Sequence, residues 1–371
     1  MKKEILLFGS GTPRSGGSLV SNILSVHKDI IITSDLIHFF RHIYKKYLPL
    51  HTAQNKFLLV EEMCLRIKTR NNIILNSKQI LKNIKNVKNY AQLVKKIFSY
   101  ILENNNKKKI IGETANGEWR NIGVFLNLDN NNKCYQVIRD PRAVLVSWKK
   151  ISFSKNYDYL NILFNWIDSI NFSKEYLRKY KSRYMRLKFE EIHSDPKKNI
   201  YKICKFANVK PDNNMLKPEK WPSLLQNKFN HINVSVYNKK NIFGFSKKRS
   251  TNWKYHIKDW ELTLIQFLFK NQLKQLGYKI YKDDKKLLAK GLKILESSSL
   301  LNKNYKFYKK NGKGTDKRLN DPSNPKNWGV IPNMNAKKQN LQARFIDTAD
   351  YKIFAKKMKE IKRNSKKFFY D

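Results

Sequence analysis

Several short segments of this chain have residue types and spacings suited to holding an anion or moving a proton. Gly11-Thr12-Pro13-Arg14-Ser15-Gly16-Gly17-Ser18 joins closely spaced glycines to hydroxyls and one arginine. Backbone N–H groups in such a turn converge on an anion, and a helix starting just after it adds its positive end. Arg14 is a fixed cation there, able to neutralise a departing oxyanion but not to protonate it. In a second segment, Arg139-Asp140-Pro141-Arg142, the serine Ser147 comes eight residues after Arg139. Asp140 before Pro141 is a helix start, a side-chain cap followed by proline in the first turn. With Arg139 at a strand end and Ser147 about two turns into that helix, both can meet on one phosphate dianion. Lys247-Lys248-Arg249-Ser250-Thr251-Asn252-Trp253-Lys254 is a dense basic run, whose ordinary fate is a solvated face. Two carboxylates, Asp35 and Glu113, sit at or just after apolar runs, where strands of an open sheet face their ligand crevice. Either serves as a general base near neutral pH only if burial or a like charge raises its pKa.

Each of these groups needs a strand to carry it. Ile5–Phe8, Ile30–Ile32, Ile110-Ile111, Cys134–Ile138 and Tyr184–Phe189 are short apolar runs bounded by turn residues, as buried parallel strands are. Between them lie helices: Leu19, Val20, Ile23 and Leu24 recur at helical spacing, as does the stretch Tyr159 to Tyr180. Ser194-Asp195-Pro196 opens a helix as Asp140-Pro141 does, and Asp259 is placed to cap one that ends near Gly277. From Ser77, the positions Ile80, Ile84, Val87, Ala91, Val94, Phe98 and Ile101 predict one long amphipathic helix inside a helical insertion spanning about 41–105. Strands alternating with helices indicate an α/β fold built on a doubly wound parallel sheet. The expected division is a domain over 1–283 and a basic C-terminal extension over 284–371. Ile346, Phe354, Met358 and Ile361 make the end of that extension amphipathic. It suits either an anionic membrane surface or the domain's own core.

The 371 residues include 76 Lys and Arg against 29 Asp and Glu, a net charge of +47, with 41% hydrophobic and 13% aromatic residues. That apolar content supports a sizeable core and excludes disorder of the whole chain. The charge invites a nucleic-acid partner. No zinc-finger, helix-turn-helix or RNP pattern accompanies it, and the excess of Lys with Asn and Ile has the look of codon bias. Three scattered cysteines offer no disulfide framework or CxxC metal site, consistent with a reducing compartment. The apolar run Ile5–Phe8 is short for a signal peptide, and no run of about 18 apolar residues occurs, so a soluble cytoplasmic protein is expected.

The first loop has the frame G-x-x-x-x-G-K-[ST] of a phosphate-binding P-loop, with Gly17 in place of the lysine. Without that lysine or a Walker-B aspartate, an ordinary NTP hydrolase or kinase is disfavoured. Thr12 to Leu19 instead resembles the P-[KR]-S-G-[ST]-[ST] loop of sulfotransferases that use 3′-phosphoadenylyl sulfate (PAPS), with Gly17 departing from the usual hydroxyl residue and Ser18 keeping the second. Val137 to Ser147 is similar to that family's 3′-phosphate block. Arg186 to Ile192 with Asp195-Pro196 is similar to its rYEdL…dP stretch, Phe189 replacing tyrosine. Lys247 to Lys254 resembles its late basic loop. The resemblance spans about residues 4 to 280 and implies PAPS as donor, released as PAP, with no metal. It assigns donor contacts to Arg14, Ser15, Gly16, Gly17, Ser18, Leu19, Arg139, Ser147, Lys247, Lys248 and Arg249.

For the base the resemblance divides. Small-molecule sulfotransferases carry a histidine in a K-x-H segment where this chain has Gly112-Glu113-Thr114-Ala115-Asn116-Gly117. Asp35-Leu36-Ile37-His38-Phe39-Phe40 resembles the E-x-H-F-F segment of heparan sulfate sulfotransferases with one extra residue. Asp35 also matches the glutamate of protein-tyrosine sulfotransferases in its distance from Arg14, with His27 in register. Asp35 and Glu113 therefore both stand as candidates, with Arg14 as the third catalytic group and His38 as a support or acceptor contact. The implied acceptor is a hydroxyl or amine of a carbohydrate, lipid or peptide, the heparan-like segment favouring a carbohydrate or glycolipid. A P-loop-like small-molecule kinase and a basic nucleic-acid-binding protein are the alternatives.

Overall fold

The computed structural model describes residues 5–71, 73–102, 109–150, 157–221, 244–281, 283–314 and 356–365. Five strands, β1 (Ile5–Gly11), β2 (Ile30–Ser34), β3 (Ile110–Thr114), β4 (Lys133–Ile138) and β5 (Tyr184–Lys188), form one sheet in the order β2-β3-β1-β4-β5. All pairings are parallel. Leu6 to Gly11 and Ile30 to Ser34 are buried throughout, which is why these strands read as unbroken apolar runs rather than alternating ones. The chain runs from β1 to β2 and β3 on one side, then crosses to β4 and β5 on the other. A crevice therefore opens where the carboxyl ends of β1 and β4 diverge.

Helices cover both faces. α1 (Gly17–Ser25) follows β1, and α2 (Phe39–His42), α3 (Ala53–Asn71), α4 (Ser77–Ile84) and α5 (Tyr90–Leu102) lie between β2 and β3. α6 (Ile122–Leu128) precedes β4, and α7 (Pro141–Lys149) and α8 (Asn161–Tyr180) lead to β5. Beyond it come α9 (Phe189–Ser194), α10 (Pro196–Ala207), α11 (Lys247–Thr251), α12 (Asp259–Gln275), α13 (Lys285–Ser297) and α14 (Ser299–Asn311). Successive strand residues point to opposite faces. Leu6 and Phe8 pack with the insertion and α6, whereas Leu7, Val137 and Leu187 pack with α1 and α10.

The insertion differs from its sequence pattern in one respect. The stripe from Ile80 to Ile101 is divided between α4 and α5, although Ile80, Ile84, Val87, Val94, Phe98 and Ile101 are all buried in one cluster. Asn89 causes the break: its side chain accepts the Gln92 N–H at 3.0 Å, starting a new helix in place of continuing the old one. Similarly, Asp259 is the first residue of α12 and not its cap; Glu261 instead accepts the Lys258 N–H at 3.0 Å. Beyond residue 283, Ile294, Leu295, Leu301 and Tyr305 enter the same core cluster as α8 and α12. Met358 is buried and Ile361 packs on the insertion's cluster, so this part of the terminal amphipathic segment docks on the domain's own core. Ile346 and Phe354 lie outside the described residues. Among the described residues no helix is long and apolar enough to cross a membrane.

Candidate donor and acceptor site

The loop after β1 turns sharply, with Arg14 at φ 72 and Gly16 at φ 104. Gly16 meets both a left-handed backbone and the Phe189 ring, which a Cβ would strike. A Cβ on Gly17 would run into the Asn116 side chain, so the glycine standing where the family has a hydroxyl residue lets Asn116 close over the loop. α1 begins at Gly17, placing its N-terminal N–H groups at the crevice. The Ser15 and Ser250 hydroxyls are buried and have no hydrogen-bond partner among the described residues. Such orphaned donors suit the oxygen-rich surface of a phosphate or sulfate.

The block after β4 folds as its spacing predicts. Asp140 accepts the Arg142 N–H at 2.9 Å and the Arg142 guanidinium at 2.6 and 2.8 Å. Arg142 is buried over the Trp253 ring at 4.5 Å, so it serves packing, not ligand contact. Arg139 instead turns toward the loop. Its Nη1 donates to the Arg14 carbonyl at 3.0 Å, its Nη2 to the Arg249 carbonyl at 3.3 Å, and its guanidinium lies 4.0 Å from the Phe189 ring centroid. Arg14 Nε donates to Ser147 Oγ at 3.0 Å across 133 residues of sequence.

These groups enclose a cavity of about 540 Å³. Arg14, Gly16, Gly17, Ser18, Leu19 and Arg139 line it. Ser147, Phe189, Lys248 and Arg249 line it as well. Of the donor contacts expected from sequence, Ser15 is buried behind the wall and Lys247 is exposed outside it. Asn116, Lys150 and Asn252 also line the cavity and had drawn no assignment. Lys150 continues the helix that carries Ser147, so its spacing was the available signal; Asn116 had none. Behind Phe189, the buried His193 accepts the Ser246 N–H on Nδ1 at 3.1 Å and ties α9 to the basic segment. Burial, then Arg249 and Arg139, push its pKa down to about 4.

At the ends of β2 and β3 the chemistry is acidic. Asp35 and His38 both adopt positive φ, 54 and 50. The buried Glu113 carboxylate holds that turn, accepting the Ile37 N–H at 2.5 Å and the His38 N–H at 3.0 and 3.1 Å. Neither Glu113 nor Asp35 is part of the cavity wall. Asp35 accepts the Asn116 N–H on Oδ1 at 2.9 Å and Asn116 Nδ2–H on Oδ2 at 3.0 Å. His38 Nε2 lies 3.4 Å from Asp35 Oδ1, and its Nδ1 is 2.6 Å from Glu118 Oε1. Glu118, which no spacing rule singled out, is fully buried, and its pKa rises to about 8 through burial first and the Glu113 charge second. His27 bonds the Lys210 carbonyl and the Asp29 N–H beyond α1, a structural role. Phe39 and Phe40 belong to the core and not to an acceptor surface. Among the described residues, no group of three or more His, Cys, Asp or Glu is placed to hold a metal ion.

No curated protein gives a significant sequence match. Among solved structures, the sulfotransferase domain of a Synechococcus olefin synthase shares the fold at a TM-score of 0.51 and 16% identity, over 76% of this chain and 98% of that one. The sulfotransferase domain from the curacin biosynthetic pathway does so at 0.50 and 15%, over 76% of this chain and 100% of that one. Residues 7–213, more than half of the chain, match the profile of the sulfotransferase family. That span runs from β1 through the Gly11–Ser18 loop and the Arg139–Ser147 block to the helices after β5, and it sets the kinase and nucleic-acid alternatives aside: the chain belongs to the sulfotransferase family.

Proposed function

We propose that this protein transfers the sulfuryl group of PAPS to a hydroxyl or amine acceptor, with Arg14 and Arg139 at the donor and Asp35 as the base. The observation that carries this reading is the pair of bonds Arg14–Ser147 and Arg139–Arg14, which join the loop after β1 to the block after β4 on one cavity wall. When bound, the donor supplies the sulfuryl group and leaves as PAP. Ser18, Arg139, Ser147, Lys248 and Arg249 hold its phosphates by charge-assisted hydrogen bonds. Arg14 neutralises charge on the oxygen that departs, an electrostatic contribution that needs no proton transfer. Asp35 removes the proton from the attacking oxygen or nitrogen. Its carboxylate is fixed by Asn116, which itself lines the cavity. The bonds of Glu113 to the Ile37 and His38 backbone support a scaffold role for it and leave the proton to Asp35. Lys247, exposed outside the wall, contributes long-range attraction only.

The acceptor class proposed is a carbohydrate or glycolipid, on the likeness of Asp35 to Phe40 to the heparan sulfate sulfotransferase segment. Two measurements test the reading. PAP should raise the melting temperature in the absence of divalent cations, and label from ³⁵S-PAPS should appear in glycan or glycolipid. Protection by Mg-ATP but not PAP would reject the donor; label confined to peptide would reject the acceptor class.

A further inference from the structure

We propose that Glu118 is a positioning residue whose protonated form fixes the tautomer of His38, and through it whether His38 Nε2 presents a hydrogen or a lone pair to Asp35. The proposal rests on the reading of Asp35 as base. Glu118 and His38 are 0% and 2% exposed, so solvent cannot substitute for either partner. Glu118 is also rigidly held. Its Oε2 accepts Asn121 Nδ2–H at 3.2 Å, and the neighbouring Trp119 and Arg120 are anchored to Asp168 at 2.7 and 2.8 Å.

An imidazole's proton is placed by what its other nitrogen meets. When Glu118 carries a proton, its O–H donates to Nδ1 and the ring hydrogen resides on Nε2, the atom facing Asp35 Oδ1 at 3.4 Å. Transfer of that proton onto Nδ1 leaves the Nε2 hydrogen in place. When Glu118 loses its proton, the ring's hydrogen moves to Nδ1 to satisfy the buried anion. Nε2 then turns a lone pair toward Asp35 Oδ1, and the 3.4 Å approach changes from attractive to repulsive. The charged groups around Glu118 are Glu113 from β3, Asp35 after β2 and Arg41 from α2, with His42 edge-on to His38 at 5.9 Å. Burial and the two carboxylates outweigh Arg41 and the Asn121 amide, so Glu118 keeps its proton up to about pH 8.

The test is the pH dependence of kcat at saturating PAPS and acceptor in wild type, Glu118→Ala and Glu118→Gln. Glutamine donates an amide N–H to Nδ1 at every pH. Wild-type kcat should fall about tenfold as pH rises past 8, and Glu118→Ala should lose about tenfold already at pH 7. Glu118→Gln should restore most of that loss and abolish the alkaline fall. In ¹⁵N-histidine-labelled wild type, the His38 signals, assigned by their disappearance in His38→Asn, should show a protonated Nε2 at pH 7 that loses its hydrogen above pH 8. An unchanged alkaline limb in Glu118→Gln, or a His38 tautomer indifferent to pH, overturns the proposal. Should Glu118→Gln fail to fold, the wild-type ¹⁵N titration decides alone. Normal turnover by Asp35→Asn would instead sink the base reading, leaving the tautomer switch to stand or fall on the ¹⁵N data.

Discussion

The crevice above the sheet has a cationic half, at the ends of β1 and β4, and an acidic half, at the ends of β2 and β3. In the cationic half, Arg14, Arg139, Lys248 and Arg249 line the cavity, with Arg14 held by Ser147 and Arg139 by the Arg14 and Arg249 carbonyls. In the acidic half, Asp35, Glu113 and Glu118 are engaged with backbone N–H groups, Asn116, Asn121 and His38. The contrast follows from what each half must do. On the proposed function, a multiply charged ligand would add its own compensation to arginines that already hold one another's loops in place. A base must stay oriented, and a buried carboxylate is tolerable only when hydrogen-bonded.

The sharpest way to break this comparison is Asp35→Asn, expected to lower turnover by about 10²- to 10⁴-fold while leaving PAP affinity unchanged. Turnover and calorimetric PAP binding measured on one preparation check it. Glu113→Gln should act differently, lowering the melting temperature because one carboxylate oxygen that accepts backbone N–H is replaced by a donor. In the cationic half, Arg139→Gln should weaken PAP binding by about 2 kcal/mol, and Arg139→Lys should not restore it, since a lysine cannot span two carbonyls and lie on Phe189 at once. A finer cut separates neighbours: Lys248→Ala should reduce PAP affinity about three- to fivefold in low salt and Lys247→Ala less than about twofold, because only Lys248 reaches the wall.

The smallest effect concerns stability. Folded His193 binds its proton more weakly than the unfolded chain, with a pKa near 4 against an ordinary 6.5. Folding therefore releases a proton between those values. The His193 contribution to stability grows as pH rises from about 4 to 6.5 and is complete above that. Denaturation series across that window should be less pH-dependent in His193→Asn, whose amide oxygen can still accept the Ser246 N–H.

Legibility in the sequence also differed between the halves. Each donor-side block is a local device: a strand, a cap or glycine turn, and a side chain at a set distance along a helix. The helix that spaces Ser147 from Arg139 was readable from Asp140-Pro141, and the expected role of the pair came from joining that block to the first loop and to the family resemblance. The parallel sheet was readable too, because strands buried on both faces appear as bare apolar runs. Asn116 and Glu118 were not, since each matters only through a partner some eighty residues away. The single long helix expected from Ser77 failed for a related reason: periodicity reports which face is buried, whereas Asn89 acts by a local cap that leaves the stripe intact.

By itself, the sequence determined the fold class, the local form of the Gly11–Ser18 and Arg139–Ser147 blocks and the family they resemble, because short-range spacing governs turns, caps and helix faces. The net charge of +47 determined far less than the position of a few arginines at strand ends. Tertiary structure decided which expected groups share a cavity, placed Ser15, Lys247, Asp35 and Glu113 off its wall, and set Asp35 against Asn116 and Glu113 against the Ile37 and His38 backbone. Those outcomes depend on contacts across 75 to 133 residues of sequence, between loops that only strand order brings together.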